Sequence, residues 1–254
     1  MEIRLFSAEQ QGVGAFDGGR FLEQRPIGFP REPGAVPRVG PLFYWAWGYA
    51  EEEAEIGLHP HKAFEILTYV LRGTVEHQDS LGTRQTVAAG GAQVMQAGSG
   101  IYHGEAFRGP QAEAMQIWFE PHLDRTVQQA PTYRQYDHDQ FPLVERDGVV
   151  SKTVVGAGAP VRLETDAQLY DWTLAPGSVH THELAAGRQL ALLAIDGAGT
   201  VNEQWPLAHK TFAVAQTDGA GPAGRLTLHA AQGGGLRVIA IEVPSRVDYP
   251  LYRK

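Results

Sequence analysis

Two pairs of polar residues in this chain are spaced so that both side chains of each pair would point the same way along a β-strand. They are His59 and His61, separated by Pro60, and His103 and Glu105, separated by Gly104. Side chains alternate faces along an extended strand, so each pair offers two donors to one side. Two such strands brought together can grip one divalent cation. Three imidazoles and one carboxylate, with no thiolate, suit iron, manganese, nickel, cobalt, copper or zinc. Four protein ligands on an octahedral ion leave two positions for substrate or water, which is the arrangement of a catalytic metal.

The other candidates are weaker. Glu65 lies at an even offset from His61 and competes for the carboxylate role, but Lys62-Ala63-Phe64 can bend the chain between them. It reads first as a structural residue and second as a ligand. His77 and Gln116 read as ordinary strand polars, with a supporting role around the metal as the alternative. His180-Thr181-His182, with Glu183 behind, repeats the first couple, yet nothing downstream matches His103-x-Glu105. A degenerate second site is the expectation there, and a second metal the alternative. His209 and His229 stand alone, and His122 and His138 are too far apart to make a metal case. The acidic run Glu51, Glu52, Glu53 and Glu55 reads as a solvated loop. No nucleophile elbow, Walker loop or dinucleotide glycine fingerprint lies in a fitting context.

The elements that must carry these residues are short. The composition includes 30 glycines and 16 prolines. Brief apolar runs alternate with turn residues, the pattern of an all-β sandwich or barrel. Expected strands are 42–50, 66–71, 74–78, 84–88, 92–96, 101–105 and 114–119, with Arg72-Gly73 as a turn. Pro60 suits a strand start or edge, because it cannot donate to a ladder. Ala97-Gly98-Ser99-Gly100 lets the backbone turn before the second ligand pair. Residues 26–41 read as a proline-studded loop, and 121–142 as a bridge without strand pattern. A second strand series follows, with 168–174, 189–195, 199–202, 226–229 and 236–243 clearest. The expected organisation is a metal-binding barrel over 1–130, a linker over 131–148, and a degenerate barrel over 149–254.

Bulk properties exclude several classes. The chain has 254 residues and no cysteine, which removes disulfides, thiolate metal sites, iron–sulfur clusters and cysteine nucleophiles. A net charge of −8 argues against direct contact with nucleic acid. The start, MEIRLFSAEQ, has no apolar signal region, and no apolar run approaches the ~18 residues of a spanning helix. A cytoplasmic protein without a membrane partner is the expectation.

The run HPHKAFEILTYVLRGTVEHQDSLG (59–82) and the later QVMQAGSGIYHGE (93–105) and MQIWFEP (115–121) resemble the pirin family of the cupin superfamily. The close match covers roughly a quarter of the chain. The resemblance implies an all-β bicupin: two consecutive antiparallel β-barrels of the double-stranded β-helix type, with few short helices. It implies a metal, most often Fe2+, in the N-terminal barrel, with His59, His61, His103 and Glu105 as ligands, and usually no metal in the C-terminal barrel. It implies either a quercetin dioxygenase-like enzyme that opens a flavonol, a small aromatic substrate, with O2, or a metal- and redox-dependent regulator that binds a protein partner. In the enzyme reading Glu105 takes the substrate proton.

Overall fold

The computed structural model describes residues 1–217, 219 and 221–254. The described residues form twenty strands. The first ten are β1 (Glu2–Phe6), β2 (Gly12–Phe16), β3 (Phe21–Ile27), β4 (Leu42–Ala50), β5 (Ala54–His61), β6 (Glu65–Asp79), β7 (Arg84–Ala88), β8 (Ala92–Gln96), β9 (Ile101–Phe119) and β10 (Thr132–Tyr136). The second ten are β11 (Leu143–Arg146), β12 (Val149–Val155), β13 (Gln168–Leu174), β14 (Val179–Leu184), β15 (Arg188–Gly197), β16 (Gly199–Val201), β17 (Trp205–Leu207), β18 (Phe212–Gln216), β19 (Gly224–Ala230) and β20 (Leu236–Pro244). The α-helix among the described residues is one turn, Leu123–Thr126. All strand pairings in the ladders are antiparallel. The fold is the all-β bicupin expected.

The chain divides into two compact units. The N-terminal unit holds Gln11–Gln140 with Leu163–Thr165 and Tyr249–Lys254. The C-terminal unit holds Phe141–Arg162 and Asp166–Asp248 together with Met1–Gln10. Met1–Gln10 joins that unit because β1 pairs with β18. Such a pairing partner lies some 200 residues away, so no local pattern announces it.

In the C-terminal unit, alternate residues of each strand meet in one core. Leu190, Leu192 and Ala194 from β15 pack with Trp172 and Leu174 from β13, and with Val238 and Ala240 from β20. In the N-terminal unit, β6 is buried on both faces over Glu65–Val70, so it reads as a continuous apolar run and not as an alternation. Ile66 joins the cluster around Tyr44, Met95, Ile101 and Trp118, and Val70 joins the one around Phe21, Val75 and Phe107.

Three local expectations change. Arg72-Gly73 is not a turn: β6 runs through it, and the register shifts between Val70 and Arg72 and between Arg72 and Thr74. Gly73 has φ +70°, which lets a bulge absorb the extra residue without ending the strand. The 101–105 and 114–119 segments are likewise one 19-residue strand, β9. The bridge after Pro121 contains β10, which pairs with β8, so tertiary pairing overrides its weak local pattern.

Candidate metal centre

β5 and β9 carry the site. They pair antiparallel, with His59 directly across from His103, and His61 across from Ile101. Side-chain alternation then places His61, His59, His103 and Glu105 on one face. Two devices shape this pair. A register shift between Ile56 and His59 sets the approach to the first ligand. After His61 the chain leaves the strand at Ala63, which has φ +72° and donates its N–H to the carbonyl of Gly98 at 2.9 Å. Gly98 itself has φ +49°, and a Cβ there would come within 2.6 Å of the Gln129 carbonyl oxygen, so the turn into β9 requires glycine.

The three imidazoles converge. Ring centroids lie 4.7 Å apart for His59 and His61, 4.5 Å for His59 and His103, and 4.7 Å for His61 and His103. One ligand nitrogen from each lies within 4.8 Å of the others, the sole such grouping of three among the described residues. The free atoms are consistent with binding. Nδ1 of His59 donates to the Gly57 carbonyl at 2.8 Å, which leaves Nε2 as the lone-pair nitrogen. The Nε2 atoms of His61 and His103 are buried and have no hydrogen-bond partner among the described residues. Burial, reinforced by the neighbouring His59, pushes His61 down to about 3. Burial, with His61, His59 and His77, pushes His103 down to about 2. Neutral imidazoles with orphaned lone pairs pointing together are what a divalent cation satisfies.

Glu105, the fourth expected ligand, is buried near this group but does not join it within 4.8 Å. Oε1 accepts from Thr68 Oγ1 at 3.0 Å and Gln93 Nε2 at 2.7 Å, and Oε2 accepts from Gln116 Nε2 at 2.7 Å. The amides cannot turn round. Tyr133 Oη donates to Gln93 Oε1 at 3.0 Å, and Trp118 Nε1 donates to Gln116 Oε1 at 3.2 Å. Both NH2 groups therefore face the carboxylate. Burial pushes the Glu105 carboxyl above its ordinary value, while the Thr68 and Gln116 hydrogen bonds act the other way. A buried carboxylate held by neutral donors near three converging imidazoles is a donor set that fits a cation.

Residues that read as ordinary polars in the sequence turn out to hold this site. Gln116 grips Glu105 as above. His77 lies across from Glu105 on β6, stacks on Tyr133 at 4.0 Å, and meets His103 Nδ1 with its own Nδ1 at 3.5 Å. Thr68, Gln93 and Trp118 lie inside the pirin-like runs without being singled out there, and Tyr133 lies in none of them. Glu65 is excluded from the centre. Its carboxylate accepts from Gln96 Nε2 at 2.8 Å and from the backbone N–H groups of Glu164 and Thr165 at 2.7 and 3.0 Å. An aromatic wall of Trp118, Phe29, Tyr44 and Phe64 closes one side, with the Trp118 ring edge-on to His61 at 4.7 Å. A cavity of about 440 Å³ borders Glu105 and His77, with Arg84, Glu76 and Arg108 in its lining.

His180 and His182 do sit on one strand, β14, but no third ligand joins them among the described residues. His122, His138, His209 and His229 join no metal-ligating group among the described residues.

Comparison with known proteins agrees with this geometry. The sequence profile of the family described as Pirin matches residues 44–119, which span β4 through β9. A relative from Pseudomonas aeruginosa is 31% identical over 200 residues, covering 72% of this chain and 67% of its own length. The chain belongs to the pirin family. A pirin from Escherichia coli, YhhW, whose crystal structure holds nickel(II), superposes with a TM-score of 0.77 at 26% identity, over 96% of this chain and 99% of that one. A protein of Escherichia coli K12 named quercetin 2,3-dioxygenase is 36% identical over 149 residues, which is 58% of this chain and 61% of that protein. The match thus spans less than two thirds of that relative. As a pirin, the chain carries its three-histidine group inside the matched segment. No helix among the described residues is long and apolar enough to cross a membrane.

Proposed function

We propose that this pirin is an Fe2+-dependent dioxygenase that opens a flavonol ring with O2, with His59, His61, His103 and Glu105 as the metal ligands. The observation that carries the reading is the convergence of three imidazoles, two of them with buried Nε2 atoms that lack a partner among the described residues, near a buried carboxylate. When bound, the cation supplies Lewis acidity to an ionising substrate hydroxyl. The rest is the work of the chain. Thr68 and Gln93 occupy the lone pairs of Glu105 Oε1, whereas Oε2 holds a single donor, Gln116. Oε2 is therefore the atom that would hold the cation and, on loosening from it, receive the flavonol proton. Fixed amides hold that carboxylate in place, so little reorganisation is needed as the charge moves. Trp118 and its aromatic neighbours keep water from the His61 side.

Oxygen uptake and flavonol absorbance, measured on Fe2+-loaded protein with a flavonol panel, test the proposal. The expected result is turnover by the wild type and a loss of at least about 100-fold in Glu105→Gln. Metal-loaded wild type that consumes no oxygen with any flavonol would overturn the enzyme reading in favour of a metal-dependent protein that binds a partner. Elemental analysis of the purified protein decides the ion.

A further inference from the structure

The turn after β6 reaches the centre through a second histidine. Asp79 Oδ1 accepts the backbone N–H groups of Leu81 and Thr83 at 2.9 and 3.0 Å, which fixes the carboxylate. Its Oδ2 meets Nε2 of His77 at 2.9 Å, and both side chains are fully enclosed. An ionised carboxylate only accepts, so the His77 proton must sit on Nε2. In a neutral His77 ring, Nδ1 is then a lone pair. That atom faces Nδ1 of His103 at 3.5 Å, so His103 must carry its proton on Nδ1. The remaining lone pair of His103 falls on Nε2, the buried nitrogen without a partner that faces the three-imidazole group. Tyr133 stacks on the His77 ring with the planes 20° apart, which holds the ring in this plane.

We infer that Asp79 and His77 form a positioning relay that sets the tautomer of His103 and so presents its Nε2 lone pair to the metal. This rests on the metal-site reading above. Neither residue touches the cation. Outer partners of this kind change metal affinity by about 10–100-fold when removed. The relay also accounts for an otherwise unexplained histidine buried between a carboxylate and another histidine.

Asp79→Asn tests the inference with little change in shape. Its Oδ1 retains both turn hydrogen bonds, while its NH2 replaces the acceptor at His77. His77 Nε2 must then accept, its proton moves to Nδ1, and the His103 proton is displaced to Nε2, where it blocks the ligand lone pair. Two measurements read this. Competition with a chelator gives the Ni2+ affinity, expected to fall by about 10–100-fold. Nitrogen-15 NMR of metal-free protein reads which His103 nitrogen carries the proton, expected to be Nδ1 in the wild type and Nε2 in the variant. His77→Phe keeps the stacking on Tyr133, removes the acceptor, and is expected to weaken Ni2+ binding even if Asp79→Asn folds poorly. Unchanged Ni2+ affinity in both variants overturns the relay, as does weaker binding with the His103 proton still on Nδ1, which would be a merely structural effect. A wild type that takes up no Ni2+ overturns the metal site itself, and that failure shows before any variant is made.

Discussion

β5 and β14 carry the same His-x-His spacing, yet they end in opposite electrostatic states. In the N-terminal unit, His59 lies across from His103, and Glu105 follows two residues on. In the C-terminal unit, His180 lies across from Leu228, and Ala230 follows two residues on. Leu228 and Ala230 are buried in the core. The second strand thus supplies methyl groups where the first supplies an imidazole and a carboxylate. His182 spends its Nε2 on Glu242 Oε2 at 2.7 Å, and Glu242 is also paired with Arg188. Arg188 in turn makes a two-pronged contact with Asp166, at 2.7 and 3.2 Å. The C-terminal unit has a guanidinium as its internal cation. The N-terminal unit has neutral donors around Glu105 and two orphaned imidazole nitrogens that meet a third ring, whereas the orphaned Nε2 of His180 meets no such group among the described residues. A His-x-His couple therefore marks where ligands can project, and the facing strand decides whether they meet a metal.

The largest effect separates the two couples outright. His103→Ala is expected to lower metal affinity by at least about 100-fold, whereas His180→Ala with His182→Ala leaves metal content unchanged, as read by elemental analysis. Loss of metal in the second case would show that β14 does bind an ion. Next comes the internal cation. The Arg188 and Glu242 side chains are 15% and 5% exposed, so Arg188→Met strands a buried carboxylate. The cost is about 3–5 kcal/mol, with a fall in melting temperature on the order of 10 °C. Adding Glu242→Leu to Arg188→Met should recover most of that fall; if it does not, the pair is not what the arginine stabilises.

Two pH experiments sharpen the contrast further. Glu23, in the N-terminal unit, is pushed up to about 7, chiefly by burial, although Tyr44 Oη donates to it at 3.1 Å. Its folded value lies above its unfolded value near 4.5, so its stabilising contribution is complete below that pH and is lost as pH rises through 7. Glu23→Gln is expected to abolish that decline and to exceed the wild type at pH 8 by up to about 3 kcal/mol. Denaturant melts from pH 4 to pH 8 would reveal an unchanged slope if the charge is matched some other way. His180 is the converse case. Burial, then His182, pushes it down to about 4. Its contribution is complete above the unfolded value of 6.5 and is lost as pH falls toward 4. His180→Leu should remove on the order of 2 kcal/mol of acid sensitivity, after allowance for partial exposure. The same melts taken below pH 6.5 check it.

The strand class and three of the converging side chains were legible in the residues, since a period of two needs only local geometry. The even offset of Glu105 from His103 puts it on the ligand face, and the bend expected at Lys62-Ala63-Phe64 made Glu65 a structural residue first and a ligand second. Both are buried carboxylates near a histidine pair, and the difference lies in their donors: backbone N–H groups from 164 and 165 for one, side-chain amides for the other. His77 and Gln116 were misjudged because a lone polar residue in a strand carries no sign of what faces it across the sheet. β1 and β10 were missed because their partners, β18 and β8, are distant in sequence.

By itself, the sequence determined the β class, the absence of thiolate chemistry, and the pairs of donors that share a face. Only the tertiary structure decided which His-x-His pair meets a third imidazole and which polar side chains face Glu105 across the sheet. Alternation along a strand is a property of one backbone, whereas register, hydrogen-bond partners and tautomers are set by the strand across the ladder.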